Sequence, residues 1–509
     1  MRQPAAFSLP LYDCAVAVVA DPSTLVHTCL GALRGTTEGG VRVWRGIPYA
    51  EQPVGERRFR APTPLAPWSG VREAVEHGPV PPQGRSFVGG GRDDPKIRDE
   101  ACLTLTIWAP DSADGGPLPV MVWIPGGAFV YGAGQLQLYN GSRLAANGDV
   151  VVVNLTYRLG VFGGFELGDL GEGFADNLCL RDQIAALHWI QDNIAAFGGD
   201  PQRVTIFGES AGATSVLALL ASPAAAGLFA RAIAQSPALP LIADRATRSR
   251  RAHEFVDLVG AHPATFSVLP QRVLRRAAGE LQRRSAETTP TLAYGLTHGV
   301  DLLPRHPIDA ARTGQVNAVP LIIGTNTHEA SMFAWSKPPM LPTTVAGIDD
   351  YFTRAAPDAR TRVLAGYPDY PRRRALIAVG SDVMFGAPTW AFADAYSTHA
   401  LTHLYRFDHT TWTLRMLGLG ATHGSEIVHV QHSYGSYLGR KLHPLGRHVP
   451  PSVGKRMQRT WLNFATGVAM ADWPRYDADE RRTRVIRSNR DVTVNDPDGV
   501  RREAWAGIY

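Results

Sequence analysis

The chain has 509 residues, 45% of them hydrophobic and 19% charged, with a formal net charge of +5. That is ordinary globular composition, and the length is ample for a substantial core without disulfide or metal staples. The basic residues are nearly all arginine, in short scattered clusters such as Arg248–Arg251, Arg272–Arg276 and Arg372–Arg374. A nucleic-acid surface needs a contiguous basic stripe, so these read as solvated helix faces and no nucleic-acid partner is expected.

Residues 1–25 carry no decisive pattern and read as an N-terminal extension. Their apolar stretch, Ala15–Ala20, is hemmed in by Asp13 and Asp21 and is too short for a signal-peptide core. No run approaches the roughly 18 apolar residues of a membrane span. Cys14, Cys29, Cys102 and Cys179 show neither CxxC pairing nor metal-ligand spacing. Asn140-Gly-Ser and Asn154-Leu-Thr match glycosylation sequons but read as chance. The expectation is a soluble, cytoplasmic chain with reduced thiols and no membrane insertion.

From Val120 the periodicity becomes strong. Val120–Ile124 and Val150–Val153 are apolar runs of the kind found in strands covered on both faces. Asp182–Phe197 has helical spacing, with Asp182 placed in the first turn to suit the helix dipole and Gly198-Gly199 as the stop. Arg203–Phe207 is a strand followed by an Ala/Leu-rich helix through Leu220. Ala230–Gln235, Val319–Ile323 and Leu401–Phe407 repeat the strand signal. Strands alternating with helices predict an α/β fold with a mainly parallel sheet and helices on both faces. The Arg/Ala-rich stretch from about 245 to 287 reads as a lid-like helical insertion within 240–320. Residues 26–509 are expected to form a single domain.

Gly208-Glu209-Ser210-Ala211-Gly212 fits G-x-S-x-G directly between a predicted strand and a predicted helix. A serine in such a tight turn projects its hydroxyl above the sheet. Side chains at Gly208 and Gly212 would strike neighbouring backbone, and the helix N-terminus offers free N–H groups to a developing oxyanion. Gly89-Gly90-Gly91 lacks this setting and reads as a flexible loop.

The stretch Phe207–Ala213, preceded by Phe197-Gly-Gly-Asp-Pro201, resembles the type-B carboxylesterase family. The resemblance extends to Gly46–Tyr49, Pro53-Val54-Gly55, Arg58-Phe59, Cys102–Leu105, Asn154, Tyr157–Gly160, Asp182-Gln183, Trp461, Phe464-Ala465 and Gly467, covering about residue 26 to the C-terminus. It implies an α/β-hydrolase fold and a serine carboxylesterase that needs only a small-molecule ester and water, with no metal or organic cofactor. His423, in Gly420-Ala-Thr-His-Gly-Ser-Glu426, matches the family's base loop, and Glu426 is carried over as a supporting residue. Glu329 closes the family's acid loop, and the order Ser210, Glu329, His423 is that of α/β-hydrolases. Asp301 and Asp408 remain alternative acids. The resemblance places the oxyanion hole at the N–H groups of Gly127, Ala128 and Ala211, with Gly126, Gly208, Glu209 and Gly212 in support.

Ser210 would attack the ester carbonyl as His423 takes its proton, and water would then cleave the acyl-enzyme. A base that must start neutral implies activity falling below about pH 6–7. Pro125 stands where relatives usually carry His or an aromatic, which implies an altered substrate range. Cys179, Ala330 and Pro237 replace typical glycines. The loop from Gln83 to Cys102 has no Trp or Tyr, so choline esters are not expected substrates. Two other functions fit the same fold: a catalytically silent binding protein, and an acyltransferase using the same triad.

Overall fold

The apolar runs lie in the middle of an 11-stranded sheet. The computed structural model describes residues 24–84, 95, 97–110, 116–288, 293–336, 339–444 and 451–509. The proposed extension, up to residue 23, and the Gly89-Gly90-Gly91 loop therefore lie outside the described residues. The sheet's strands are, in chain order, β1 (Thr36–Glu38), β2 (Val41–Pro48), β3 (Thr104–Pro110), β4 (Leu118–Ile124), β5 (Val151–Leu155), β6 (Gly199–Glu209), β7 (Arg231–Gln235), β8 (Leu321–Asn326), β9 (Thr402–Phe407), β10 (Arg482–Ile486) and β11 (Asp491–Asn495). Their spatial order is β11-β10-β9-β8-β7-β6-β4-β5-β3-β2-β1. Pairing is parallel from β5 to β10 and antiparallel at both edges.

The period-2 alternation of the central strands explains the layers. Val120, Val122 and Ile124 face a core shared with α1 (Leu178–Asn193) and α2 (Ala211–Ala221). Their neighbours Met121 and Trp123 point the other way, onto Met457, Trp461 and Phe464 of the late helix Ser452–Thr466. A strand covered on both faces has no polar side to show, hence the unbroken apolar spelling.

The chain runs from β4 outward to β5, then returns to place β6 on the other side of β4. This reversal opens a crevice at the carboxyl ends of β4 and β6, where open α/β sheets bind ligands.

The helix expected at Asp182 begins four residues earlier, at Leu178, after a left-handed Asn177. Asp182 therefore sits in the second turn, fully buried, and its role is not the helix dipole. Its carboxylate takes a bidentate ion pair from Arg158, at 2.6 and 2.8 Å. Arg158 also donates to the carbonyls of Arg58 and Arg60, at 3.2 and 2.8 Å. Removing either member would leave a buried charge unpaired, at a cost of about 3–5 kcal/mol.

The 245–287 stretch forms two helices, Arg245–Val259 and Gln271–Thr288. They are bracketed by a short parallel pair, Ile242–Asp244 with Leu296–His298, too brief to register as a periodic signal. Arg248, read as part of a solvated cluster, is instead buried and donates to the carbonyls of Leu241 and Ala293, at 2.6 and 2.8 Å. Among the described residues one helix, Arg373–Tyr396, is long and apolar enough to cross a membrane, but 83% of its apolar window is buried inside the fold. Asn154, in one of the sequons, is buried in β5 and donates to the carbonyls of Gly134 and Tyr139.

Candidate active site

β6 ends at Glu209 and α2 begins at Ala211, so Ser210 occupies the single residue between strand and helix. Its φ of 58° and ψ of −123° lie in a region that non-glycine residues avoid. The turn is held by the Ser210 N–H, which donates to the Gln235 carbonyl at 2.9 Å, and by the Ser210 carbonyl, which accepts from Thr214 N–H at 2.8 Å. The two glycines are required by contact. A Cβ on Gly212 would lie 2.0 Å from the Ile124 carbonyl oxygen, and one on Gly208 would lie 2.6 Å from Gly212 C.

Gly126, Gly127 and Ala128 follow the end of β4 beside this turn. A Cβ at Gly126 would come within 2.4 Å of the Glu209 carbonyl oxygen and 3.2 Å of Ser210 Cβ, so the loop's backbone lies directly against the serine. Gly127 and Ala128 both have positive φ, 115° and 55°. Their N–H groups donate to no partner among the described residues. Ala211, as the first residue of α2, likewise has an N–H without an intrahelical acceptor. Pro125 leaves these three donors intact, and its carbonyl accepts a 2.6 Å hydrogen bond from the Tyr157 hydroxyl.

β8 delivers Glu329 and the loop after β9 delivers His423. The His423 Nδ1 lies 2.6 Å from Glu329 Oε2. The other oxygen of Glu329 accepts from the Asn326 N–H at 2.7 Å and the Ser236 hydroxyl at 2.5 Å. Of the alternative acids, Asp408 is engaged by Arg406 and the Thr327 hydroxyl, and Asp301 is exposed.

On the other side of the imidazole, Nε2 lies 3.2 Å from Glu209 Oε1. The alignment is poor, and neither atom has a hydrogen-bond partner among the described residues. Ser210 Oγ is therefore not hydrogen-bonded to the imidazole in this resting geometry. Burial, with Glu426 and Glu329 nearby, pushes the Glu209 carboxyl up to about 8, although His423 pulls the other way. Burial lowers His423, but Glu209 and Glu329 outweigh it and raise the imidazole to about 9. Both shifts compete for one proton, so the pair titrates together.

Glu426 is buried just before the short helix Ile427–Val430, in the turn that begins at His423. It accepts from Asn326 Nδ2 at 2.5 Å and Gln235 Nε2 at 3.3 Å, and Gln235 in turn accepts from Trp461 Nε1 at 3.0 Å. Phe385 and Phe333 wall the imidazole, with ring centres 4.5 and 5.3 Å away. Phe385 lies in a π-helical turn, Asp382–Gly386, a local distortion often found at functional sites. Sequence reasoning missed Ser236, Asn326 and both phenylalanines. The positive φ of Ser236, 50°, is a backbone signal with no sequence counterpart.

A strained serine on a strand-to-helix turn of a mainly parallel sheet, with a histidine and an acid delivered by later strands, defines the serine hydrolases of the α/β-hydrolase fold. Comparison with known proteins narrows the class. The chain belongs to the carboxylesterase family, whose model matches residues 22–498. It is 36% identical to the para-nitrobenzyl esterase of Bacillus subtilis, over 94% of this chain and 98% of that one. It is 33% identical to a phenmedipham hydrolase of Pseudarthrobacter oxydans, over 91% and 94%. A solved para-nitrobenzyl esterase structure superposes with a TM-score of 0.86 at 35% identity, covering 95% of this chain and 99% of that one. A Geobacillus stearothermophilus carboxylesterase gives 0.82 at 35% identity, covering 95% and 100%. The protein is a carboxylic ester hydrolase.

Proposed function

We propose that Ser210 is the nucleophile, His423 the general base and Glu329 the acid that orients it, within one hydrolase domain spanning residues 26–509. The observation that carries this is the 2.6 Å contact between His423 Nδ1 and Glu329 Oε2, with Nε2 left unpaired 3.2 Å from the carboxylate of Glu209, the residue preceding the elbow serine. With Nδ1–H donated to Glu329, the lone pair sits on Nε2, the tautomer that takes the Ser210 proton. The alkoxide attacks the ester carbonyl, and the oxyanion is received by the N–H groups of Gly127, Ala128 and Ala211, each worth about 3–4 kcal/mol of barrier. His423 protonates the departing alcohol, then activates water to release the acid. The Ser210–His423 hydrogen bond closes as substrate enters, since such contacts are often long in the free enzyme.

Phe333 and Phe385 give the site an apolar wall suited to uncharged esters with an aryl or alkyl group. The named activity of the Bacillus subtilis relative, on a para-nitrobenzyl ester, agrees with that choice. The buried thiols of Cys102 and Cys179, in no disulfide among the described residues, accord with a reducing cytoplasm. The test is turnover of p-nitrophenyl acetate, butyrate and octanoate by the wild type and Ser210→Ala. Hydrolysis by the wild type that disappears in a folded Ser210→Ala protein is the expected result. A variant that keeps a substantial fraction of the rate refutes the assignment.

A further inference from the structure

Away from the triad, three histidines from separate segments converge. His409 follows β9, His429 lies on the short helix Ile427–Val430, and His443 caps the helix Tyr437–Leu442. One ring nitrogen from each lies within 4.8 Å of the others. The ring centres are 4.7 Å apart for His429 and His443, 5.1 Å for His409 and His429, and 6.1 Å for His409 and His443. His429 and His443 are more than nine-tenths buried. The Nε2 atoms of all three are shielded from solvent and have no hydrogen-bond partner among the described residues.

Three buried, unpartnered imidazole nitrogens facing one another are costly unless something satisfies them. We propose that His409, His429 and His443 form a binding site for one divalent transition-metal ion, zinc in the first place. An all-imidazole set suits Zn²⁺ and excludes the hard, oxygen-seeking Mg²⁺ and Ca²⁺. Zn–N bonds of about 2.0–2.1 Å place tetrahedral ligand atoms roughly 3.3 Å apart, so ring rotations of an ångström or so close the site.

The outer contacts fit the same reading. His409 Nδ1 lies 2.8 Å from Ser488 Oγ, and His429 Nδ1 lies 2.9 Å from the Tyr434 hydroxyl. With each Nδ1–H donated outward, the lone pair is directed at the ion. An ion so held ties together the end of β9, the β10–β11 turn carrying Ser488, and the helix whose first turn is anchored by the Glu426 carbonyl accepting from the His429 N–H at 2.9 Å. It is a clamp on the segment after His423, and no chemical step is assigned to it.

The test is titration of the chelator-stripped full chain with Co²⁺, followed by its visible d–d bands and by displacement with Zn²⁺, for the wild type, His409→Gln and His443→Gln. Expected are one equivalent of saturable binding in the wild type, a zinc-dependent rise in Tm, and affinity at least about tenfold weaker in either variant that circular dichroism shows to be folded. Absence of saturable Co²⁺ binding by the wild type overturns the proposal. So does wild-type affinity in the folded variants.

Discussion

Glu329 and Glu209 lie on opposite sides of the same imidazole, near different ring nitrogens, in very different surroundings. Glu329 meets His423 Nδ1 in line at 2.6 Å, while a backbone N–H and the Ser236 hydroxyl compensate its lost water. Glu209 lies 3.2 Å from Nε2 without an aligned hydrogen bond, and its carboxyl rises to about 8. Proximity to the histidine is common to both. The donors are what differ, and in the proposed triad they make Glu329 the carboxylate that fixes the tautomer and Glu209 the one that only biases the imidazole's affinity for its proton.

The comparison breaks first at Glu329. Glu329→Gln keeps the shape but lets the amide select the wrong tautomer, so kcat/KM is expected to fall about 10³–10⁴-fold. A loss under tenfold would return the acid role to another carboxylate. A smaller effect is expected one shell out. Ser236→Ala removes a donor from a buried charge, which is worth about 1.5–3 kcal/mol. That corresponds to a loss of roughly 10- to 100-fold in kcat/KM with little change in KM, and restoration of the hydroxyl by Ser236→Thr should recover part of it.

The smallest effect sharpens the Glu209 side. A protonated His423 cannot accept the Ser210 proton, so an imidazole raised to about 9 moves the acid limb of kcat/KM above the pH 6–7 expected from an ordinary histidine. Activity should rise with pH through neutrality. Glu209 is the leading cause of that rise, so Glu209→Gln should move the limb down by about one pH unit while leaving the alkaline plateau nearly unchanged. An unmoved limb would show that Glu209 does not bias the base.

How much of this was legible follows from how local each feature is. The elbow, the Gly126 loop and the parallel strands are spelled in contiguous residues, because each must satisfy its own backbone within a few positions. Ser236 and Glu329 are 93 residues apart, and their contact depends on β7 and β8 pairing in register. Nothing in either segment spells that register. Asp182 was misread because its spacing fits a helix start, while its partner Arg158 lies 24 residues upstream. Arg248 likewise looked like surface until the insertion folded over it. The histidine trio has no motif spacing, as its members come from three elements around one end of the sheet. Phe385 reaches His423 only through a π-turn inside a helix, a distortion that periodicity does not encode.

The most direct test of the central claim is covalent: reaction with a fluorophosphonate, intact-mass measurement and peptide mapping, alongside residual esterase activity. The expected outcome is one adduct per chain, on the peptide bearing Ser210, forming in step with loss of hydrolysis and absent from Ser210→Ala. Full inhibition with the adduct on another residue would contradict the account.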